Sequence, residues 1–226
     1  TATISNPSAT DTETTTVTFG SATKLAITQA AAGFVNRTNF TTQPKVTVQD
    51  VSGNTVTNFA GTIDLAVSAG ATLTGTTSVT ISGTDLGVAS FSGVGIYGPI
   101  ATYTLTFSSG ALTNDTQTAA ITHGAAHSLQ VTAPTTATNA FVFGTQPVVR
   151  ILDRDGNLVT TGSQATQTVS LSATGAVLDG TVSMAAVAGE ADFAGKGLKL
   201  TGLIGPKPLK ASISSPETIE ATATIT

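Results

Sequence analysis

The chain has 226 residues, a formal net charge of −4, no cysteine and only 10% charged side chains. Without cysteine it can form neither disulfide bonds nor thiolate metal sites, and its acidic balance disfavours nucleic acid or an anionic membrane surface as a partner. No apolar run approaches the roughly 20 residues that a membrane-spanning helix needs, so we expect no membrane insertion. Its 46 threonines and 23 glycines favour strands and turns, which predicts an all-β fold.

The N-terminal segment, residues 1–23, resembles a later part of the chain. Residues 12–25 match residues 116–129 almost position for position. We therefore predict that residues 1–23 are the closing strands of a preceding repeat and its linker, with a turn at Asn6-Pro7-Ser8. A two-stranded hairpin alone is marginal in water. We expect this segment to pack either on the adjacent repeat or, by strand addition, on a neighbouring chain.

Alternating apolar and polar residues then predict a series of short strands. The clearest is Tyr103-Thr104-Leu105-Thr106-Phe107, which places its apolar residues on one face. The other predicted strands of the first half are residues 25–27, 44–50, 63–67, 79–81, 88–91 and 116–121. Their counterparts in the second half are residues 129–131, the stretch around Val149 and Ile151, and residues 169–171, 182–184, 191–193 and 222–225.

The two halves are copies of one unit. Residues 42–54 (TQPKVTVQDVSGN) return about 103 positions later as residues 145–157 (TQPVVRILDRDGN). Because self-similarity at a fixed period marks an array of like units, we predict repeats at 24–122 and 127–226 with the linker 123–126. Few linker residues leave little freedom, which suits a stiff rod.

Each repeat is long enough to bury well over half of its unfolded surface. The strand pattern predicts which side chains point inward in each repeat. In the first these are Val46, Val48, Leu65, Phe91, Leu105 and Phe107, and in the second Val149, Ile151, Val169, Phe193, Ala211 and Ile213.

Three motifs occur in both copies. They read Leu-x-(Ile/Val)-Thr, then Thr-Gln-Pro-x-Val-x-(Val/Ile)-x-Asp-x-x-Gly-Asn-x-Val, then Phe-x-Gly-x-Gly-(Ile/Leu). Together they resemble the bacterial immunoglobulin-like repeats, similar to invasin and intimin modules, of adhesin stalks, surface-layer proteins and extracellular filaments. The resemblance implies tandem immunoglobulin-like β-sandwiches. The second copy departs from the first at Pro206-Lys207-Pro208, which puts the pairing of that strand in doubt.

The resemblance also implies a non-enzymatic structural module at the bacterial or archaeal cell surface. Its partners would be other copies of itself or neighbouring repeats of a longer chain. Since the shared motifs are turn and core residues, they specify a fold better than a function. The alternative function is a glycan-binding accessory module of a secreted enzyme. Such modules present aromatic platforms, yet the chain has no tryptophan and, with Tyr103 in the core, Tyr97 stands nearly alone.

The acidic turn of the second repeat is a weak candidate for a calcium site. Asp153, Asp155 and Asn157 imitate the opening of a calcium loop, whose oxygen ligands suit that ion. The loop would need glycine and glutamate where Leu158 and Gln164 stand. We predict a plain turn between strands, in which glycine adopts a positive φ and the aspartate bonds to the following backbone. No cofactor and no metal are expected.

The two histidines, His123 and His127, lie four positions apart in the predicted linker. A zinc site would need further ligands, and no cysteine can supply them. We predict exposed linker residues without a metal.

The segment from Gly93 to Gly98 satisfies a G-x-G-x-x-G pattern, with Gly195-Lys196-Gly197-Leu198 taken as its counterpart. A dinucleotide site would need a helix directly afterwards. Because Pro99 and then a strand follow, we predict a bend at a strand end.

Nothing in the sequence indicates an enzyme, because G-x-S-x-G, H-E-x-x-H and P-loop motifs do not occur. Glu190 and Asp192 share one face of a predicted strand, where solvated carboxylates are expected. The basic residues Lys196, Lys199, Lys207 and Lys210 are interpreted as a charged strand edge, with an interface to an acidic neighbour as the alternative. Formal N-glycosylation sequons begin at Asn36, Asn39 and Asn114.

Overall fold

The computed structural model describes residues 14–214 and 217–226. In this part of the chain there are nineteen short β-strands and two 3-10 turns, Gly83–Asp85 and Ser163–Thr166. All neighbouring strands in its sheets run antiparallel. The all-β prediction is confirmed.

The strands fall into two consecutive groups. The first group is β1 (Lys24–Gln29), β2 (Thr38–Asn39), β3 (Lys45–Gln49), β4 (Gly61–Val67), β5 (Thr72–Thr74), β6 (Ser78–Ile81), β7 (Val88–Ser90), β8 (Gly95–Tyr97), β9 (Thr102–Ser108) and β10 (Asp115–Ala120). The second group is β11 (Ser128–Thr132), β12 (Val148–Leu152), β13 (Thr168–Ala173), β14 (Val177–Asp179), β15 (Ser183–Ala185), β16 (Glu190–Asp192), β17 (Lys199–Thr201), β18 (Lys207–Ile213) and β19 (Ile219–Ile225).

The two groups build their main sheets in the same order. A three-stranded sheet, β1-β3-β7, is matched by β11-β12-β16, and a four-stranded sheet, β6-β4-β9-β10, is matched by β15-β13-β18-β19. Smaller sheets, β2-β8-β5 and β14-β17, complete the two groups. The sequence repeat is therefore also a repeat of strand pairing.

The buried apolar residues form two clusters, one between Leu25 and Ile121 and the other between Ala126 and Ile225. All twelve side chains predicted to point inward are buried, none more than 5% exposed. Alternation therefore identified the core correctly, because a half-buried strand turns every second side chain inward. The boundaries at 24–122 and 127–226 stay a prediction about where each unit folds on its own.

The doubt about the Pro206-Lys207-Pro208 stretch is removed. Strand β18 pairs with β19 from Lys207 opposite Ile225 to Ile213 opposite Ile219. A proline removes only its own N–H from the ladder, and the Pro208 carbonyl still accepts a hydrogen bond from Thr174 at 3.1 Å. Since β18 lies between β13 and β19, Lys210 is not on a sheet edge, and the interpretation as a charged edge was wrong for that residue. Lys199 begins β17, an edge strand of the two-stranded sheet β14-β17.

The repeated Thr-Gln-Pro motif has a structural cause. The amide of Gln43 donates to the carbonyls of Phe40 and Val94 and accepts from the Val94 N–H. Gln146 makes the same three bonds to Phe143 and Leu198. Val94 and Leu198 therefore occupy equivalent positions in the two repeats. Gly197 precedes Leu198 as Gly93 precedes Val94, so Gly197, not Gly195, is the structural counterpart of Gly93. The predicted bend is present, since Gly93 has φ of 63° and β8 follows directly.

The predicted closing strands of residues 1–23 lie mostly outside the described residues, which begin at Thr14. Residues 14–18 are exposed and form no strand with any described residue. Hydrogen bonds to the first repeat are made by the Gly20 N–H, which donates to Asp50, and by the Thr23 N–H, which donates to Gln49. The predicted linker thus leads into the first repeat. That the segment before it supplies the closing strands of a preceding repeat stays a prediction.

Candidate functional site

The acidic turn of the second repeat is a compact loop closed by its own hydrogen bonds. The Asp153 N–H donates to the Asn157 carbonyl at 2.8 Å, and the Gly156 N–H donates to the Asp153 carbonyl at 3.1 Å. One carboxylate oxygen of Asp153 accepts the N–H groups of Asp155 and Asn157, each at 2.9 Å. Gly156 has φ of 81°, a conformation that glycine adopts at little cost.

This turn is inserted against the first repeat, where Asn36 is the central contact. The Asn36 side-chain oxygen accepts the Gly98 N–H at 3.0 Å, which fixes the amide within its own repeat. Its nitrogen then donates to Asp153 at 2.8 Å and to Asp155 at 2.7 Å. Asn36 is 2% exposed and Asp153 is 1% exposed. Hydrogen bonds shielded from water in this way are strengthened by the low local dielectric.

Arg37 adds a charged contact at the rim. Its guanidinium donates two parallel hydrogen bonds of 2.6 Å to the carboxylate of Asp155, and it lies 4.4 Å from the centre of the Tyr97 ring. Arg37 has φ of 60°, and its N–H donates to the Ile96 carbonyl. The left-handed backbone turns the side chain toward the second repeat. Tyr97 is therefore engaged by Arg37 and does not offer an open aromatic platform for a glycan.

Asn157 closes the other side of the contact. Its nitrogen donates to the Gly98 carbonyl at 3.0 Å, while its oxygen accepts the Ile100 N–H at 2.9 Å. A side-chain amide can do both because it carries a donor and an acceptor.

The linker completes the arrangement. The Gly124 N–H donates to Asp153 at 2.9 Å, and a Cβ at this position would lie 2.7 Å from the Asn36 carbonyl oxygen. Only glycine fits without a shift. The Thr161 N–H donates to Nε2 of His123, which places the ring proton on Nδ1, where it reaches the Gly124 carbonyl at 2.9 Å. His123 is thus half-buried and bonded rather than exposed, whereas His127 is exposed as predicted.

We call this set the repeat joint: Asn36, Arg37, Gly98 and Ile100 of the first repeat, Gly124 of the linker, and Asp153, Asp155 and Asn157 of the second repeat. Its electrostatics favour ionised carboxylates. Burial acts to raise the pKa of Asp153, but hydrogen bonds from Gly124, Asn157 and Asn36 outweigh it and the pKa is lowered. The hydrogen bonds from Arg37 lower the pKa of Asp155, and Asp155 in turn raises the pKa of Arg37.

The carboxylates of the weak calcium candidates already have protein donors. Both Asp153 oxygens and both Asp155 oxygens accept hydrogen bonds, and the Asn157 oxygen accepts the Ile100 N–H. No group of three or more His, Cys, Asp or Glu side chains suited to a metal occurs among the described residues. The joint thus uses these residues as hydrogen-bond acceptors.

The first repeat carries the same turn at Asp50. Its carboxylate accepts from Ser52 N–H, Asn54 N–H and the Asn54 amide, and from the Gly20 N–H at 2.8 Å, as Asp153 accepts from Gly124. The Gly20 and Asn54 hydrogen bonds lower the pKa of Asp50 to about 2.

The remaining candidates lie apart from the joint, with one exception. Glu190 and Asp192 share one face of β16 as predicted; Glu190 pairs with Arg150 at 2.7 Å. Lys210 pairs with Glu220 at 2.6 Å. Of the three sequon asparagines, Asn39 and Asn114 are exposed. The exception is Asn36, where a glycan on the side-chain nitrogen is incompatible with the joint.

Sequence reasoning missed the role of Asn36 and Arg37, whose side chains donate hydrogen bonds from the first repeat to Asp153 and Asp155. One signal was available: asparagine recurs at Asn139, about 103 positions after Asn36, and such a recurrence is unexpected for a freely solvated loop residue. Arg37 has no such signal, because Ala140 stands at the corresponding place.

Comparison with known proteins gives distant likenesses only. No protein-family model and no curated protein matches the chain. Among solved structures, domains 5–6 of the S-layer protein SbsC are 16% identical, with 91% of this chain and 96% of that chain covered and a TM-score of 0.32. The Yersinia pseudotuberculosis adhesin InvE is 14% identical, with 89% and 60% covered and a TM-score of 0.35.

A Parabacteroides merdae beta-glucuronidase is also similar, at 9% identity and a TM-score of 0.29, with 88% of this chain but only 24% of the enzyme covered. All three TM-scores are too low to support an inference about activity. Among the described residues, no helix is long and apolar enough to cross a membrane.

Proposed function

We propose that this chain is a non-enzymatic spacer of an extracellular surface assembly, such as an adhesin stalk, a surface layer or a filament. In this role the two immunoglobulin-like repeats transmit position and force, and the repeat joint keeps them in one relative orientation. The observation that carries the proposal is the buried contact of Asn36 with Asp153 and Asp155.

Three features of the joint favour a fixed orientation. The contacts come from three separate segments, around Asn36, Gly98 and Gly124, so that rotation about any one axis breaks bonds to the others. The bidentate contact of Arg37 with Asp155 adds a geometric constraint that a point charge would not. Both ends of the linker are hydrogen-bonded: just before it the Thr122 N–H donates to the Phe34 carbonyl, and at its last residue the Ala126 N–H donates to Gln164.

The surface composition agrees with a structural role. Threonine-rich strands expose hydroxyls that pair across the sheet, as between Thr62 and Thr80 at 2.9 Å. The aromatic and titratable groups that an enzyme or a glycan-binding module would present are sparse, with two tyrosines and two histidines in the whole chain.

The test has a structural arm and a cellular arm. Small-angle scattering of the wild-type chain should fit a single narrow distribution of end-to-end distances, and Asn36→Ala with Arg37→Ala should broaden it. The matched control is Asn39→Ala with Thr38→Ala, neighbouring exposed residues outside the joint. A broad distribution for the wild type would contradict the spacer role.

The cellular arm asks where the protein lies. Intact source cells treated with a membrane-impermeant, amine-reactive label should give protein labelled on its lysines, of which the chain has six. Labelling only after lysis would contradict the surface location.

A further inference from the structure

The far end of the second repeat carries the same asparagine that holds the turn in the repeat joint. Asn139 lies about 103 positions after Asn36, and its side-chain oxygen accepts the Gly202 N–H at 2.9 Å. In the joint, Asn36 accepts the Gly98 N–H at 3.0 Å in the same way. The side-chain oxygens of the two asparagines therefore accept equivalent backbone hydrogen bonds within their own repeats.

The backbone next to this asparagine is also the same. Ala140 has φ of 62° and donates to the Leu200 carbonyl at 2.7 Å, whereas Arg37 has φ of 60° and donates to the Ile96 carbonyl at 3.0 Å. A non-glycine residue in the left-handed region is uncommon. Its occurrence at matched places shows that the second repeat keeps the docking shape of the first, without the arginine side chain.

This far end is open, while its counterpart is covered. Asn139 is exposed, whereas Asn36 is 2% exposed. A depression of about 110 Å³ is lined by Asn139, Gly202, Ile204 and Lys207 among others. Ile204 is 100% exposed and the adjoining Leu203 is 87% exposed. Adjacent exposed apolar side chains rimmed by polar groups mark interaction sites.

The opposite end of the chain carries the same turn as the one docked in the joint, and its Asp50 is 4% exposed. The Asp50–Asn54 turn has the same internal hydrogen bonds as the docked turn, and Gly20 supplies the linker contact. Among the described residues, the only side-chain amide that donates to Asp50 is that of Asn54 within the turn itself, whereas Asp153 also receives Asn36 from another repeat. Asn54 is exposed, whereas Asn157, with its two bonds to the first repeat, is half-buried.

We propose that the far end of the second repeat binds the Asp50–Asn54 turn of a second copy of this chain, so that copies join head to tail. Asn139 donates to Asp50, the Asn54 amide donates to the Gly202 carbonyl, and the Ile204 N–H donates to Asn54. Lys207 in the same depression complements the ionised carboxylate. The proposal rests on the spacer role and names its partner: a non-closing, heterologous contact propagates into a filament.

The contact between copies is weaker than the joint for two reasons. It lacks a covalent linker, and the ion pair of Arg37 with Asp155 is replaced by Ala140 and Ser52, which cannot form one. The N-terminal segment also interferes. Residues 14–18 match residues 118–122, so in a docked copy they would overlap β19 of the receiving copy. They are exposed, with Val17 88% exposed, and docking requires their displacement.

Crosslinking tests the contact directly, because the chain has no cysteine of its own. Ala140→Cys protein mixed with Ser52→Cys protein and treated with a short bis-maleimide should give a heterodimer. The matched control replaces Ser52→Cys by Thr80→Cys, an exposed residue on β6 away from both ends. A yield at least fivefold above the control supports docking, and Asn139→Ala in the first partner should remove the excess. A yield equal to the control overturns the proposal.

Rebuilding the missing ion pair gives a second, independent readout. Ala140→Arg mixed with Ser52→Asp should associate roughly two- to fivefold more tightly than the wild type in sedimentation equilibrium, the range that an exposed pair supplies. Either substitution alone should leave association within twofold of wild type. No gain in the mixture would contradict the assigned register of the two ends.

Deleting residues 1–18 separates this proposal from strand addition. Docking of the turn predicts that the deletion leaves crosslinking unchanged or increases it, and a loss of crosslinking would assign the contact to the N-terminal strands instead. The outcome does not depend on whether the two repeats within one chain are rigid. A flexible repeat joint with specific crosslinking would therefore refute the spacer role alone, and a rigid joint without crosslinking would refute head-to-tail docking alone.

Discussion

The turns at Asp50 and Asp153 have the same internal hydrogen bonds but different neighbours. Each aspartate accepts two backbone N–H groups of its own turn and one glycine N–H from the preceding linker. Only Asp153 also meets the Asn36 side chain. The comparison shows that the turn forms from local chemistry, and that docking requires residues far away in sequence.

At both aspartates hydrogen bonds lower the carboxylate pKa and burial opposes the lowering. At Asp50 the Gly20 and Asn54 hydrogen bonds bring the pKa to about 2. At Asp153 burial against the first repeat opposes the lowering, and the additional hydrogen bond from Asn36 helps to offset that cost. A docked carboxylate must have enough donors to replace the water that it loses.

The largest expected effect comes from the cores that support the two turns. Phe91 and Phe193 are 3% and 0% exposed, and Phe91 contacts Phe107 edge-to-face at 5.4 Å. Phe91→Ala and Phe193→Ala should each cost about 3–5 kcal/mol in the free energy of unfolding. Chemical denaturation followed by amide NMR signals should show Phe91→Ala lowering the midpoint of the first repeat more than that of the second, and Phe193→Ala the reverse.

The next largest effect compares the two aspartates. Asp153→Ala leaves the Gly124, Asp155 and Asn157 N–H groups and the Asn36 amide short of an acceptor, and it should destabilise the second repeat by about 2–4 kcal/mol. Asp50→Ala is the matched control and should cost less, because no amide from another repeat is left unpaired. If Asp153→Ala and Asp50→Ala lowered their unfolding midpoints equally, the hydrogen bond from Asn36 would contribute nothing to the stability of the docked turn.

Acid should weaken both turns, and the order of events follows from the pKa values. A carboxylate whose pKa is lowered in the folded state stabilises it above the unfolded value of about 3.9, and this contribution is lost as the pH falls toward the folded value, about 2 for Asp50. Unfolding free energies between pH 5 and pH 2 should fall more steeply for the wild type than for Asp50→Asn or Asp153→Asn. Parallel curves would contradict the assignment.

The smallest expected effect is that of a chelator. Because the oxygens of Asp153 and Asp155 already accept protein hydrogen bonds, the thermal midpoint should be the same with and without a calcium chelator. A drop of several degrees would restore calcium at Asp153, Asp155 and Asn157 as part of the joint.

Local features of the fold were predictable from the sequence. The period-two pattern identified the buried face at Val46, Val48 and Phe107, because side-chain direction in a strand depends only on position. The repeated Asp-x-x-Gly-Asn pattern identified the turn, because its hydrogen bonds lie within five residues. The effect of Pro208 was misjudged, since the pairing of β18 rests on six other residues of the strand.

The joint could not be predicted in the same way. Its contacts join positions such as Asn36 and Asp155, which lie 119 residues apart in the chain, and no local pattern encodes such a distance. His123 was misjudged for the same reason, because its partner Thr161 is brought near only when the second repeat folds against the linker. A matched asparagine in both repeats was the one indication available.

The central claim is that the repeat joint fixes the orientation of the two repeats. Residual dipolar couplings measured on both repeats of one weakly aligned sample test it most directly. The account predicts that the two repeats report the same alignment tensor in magnitude and direction, and that Asn36→Ala with Asp155→Asn makes the magnitudes diverge while both repeats stay folded. Different magnitudes in the wild-type chain would show that the repeats move independently and would contradict the claim.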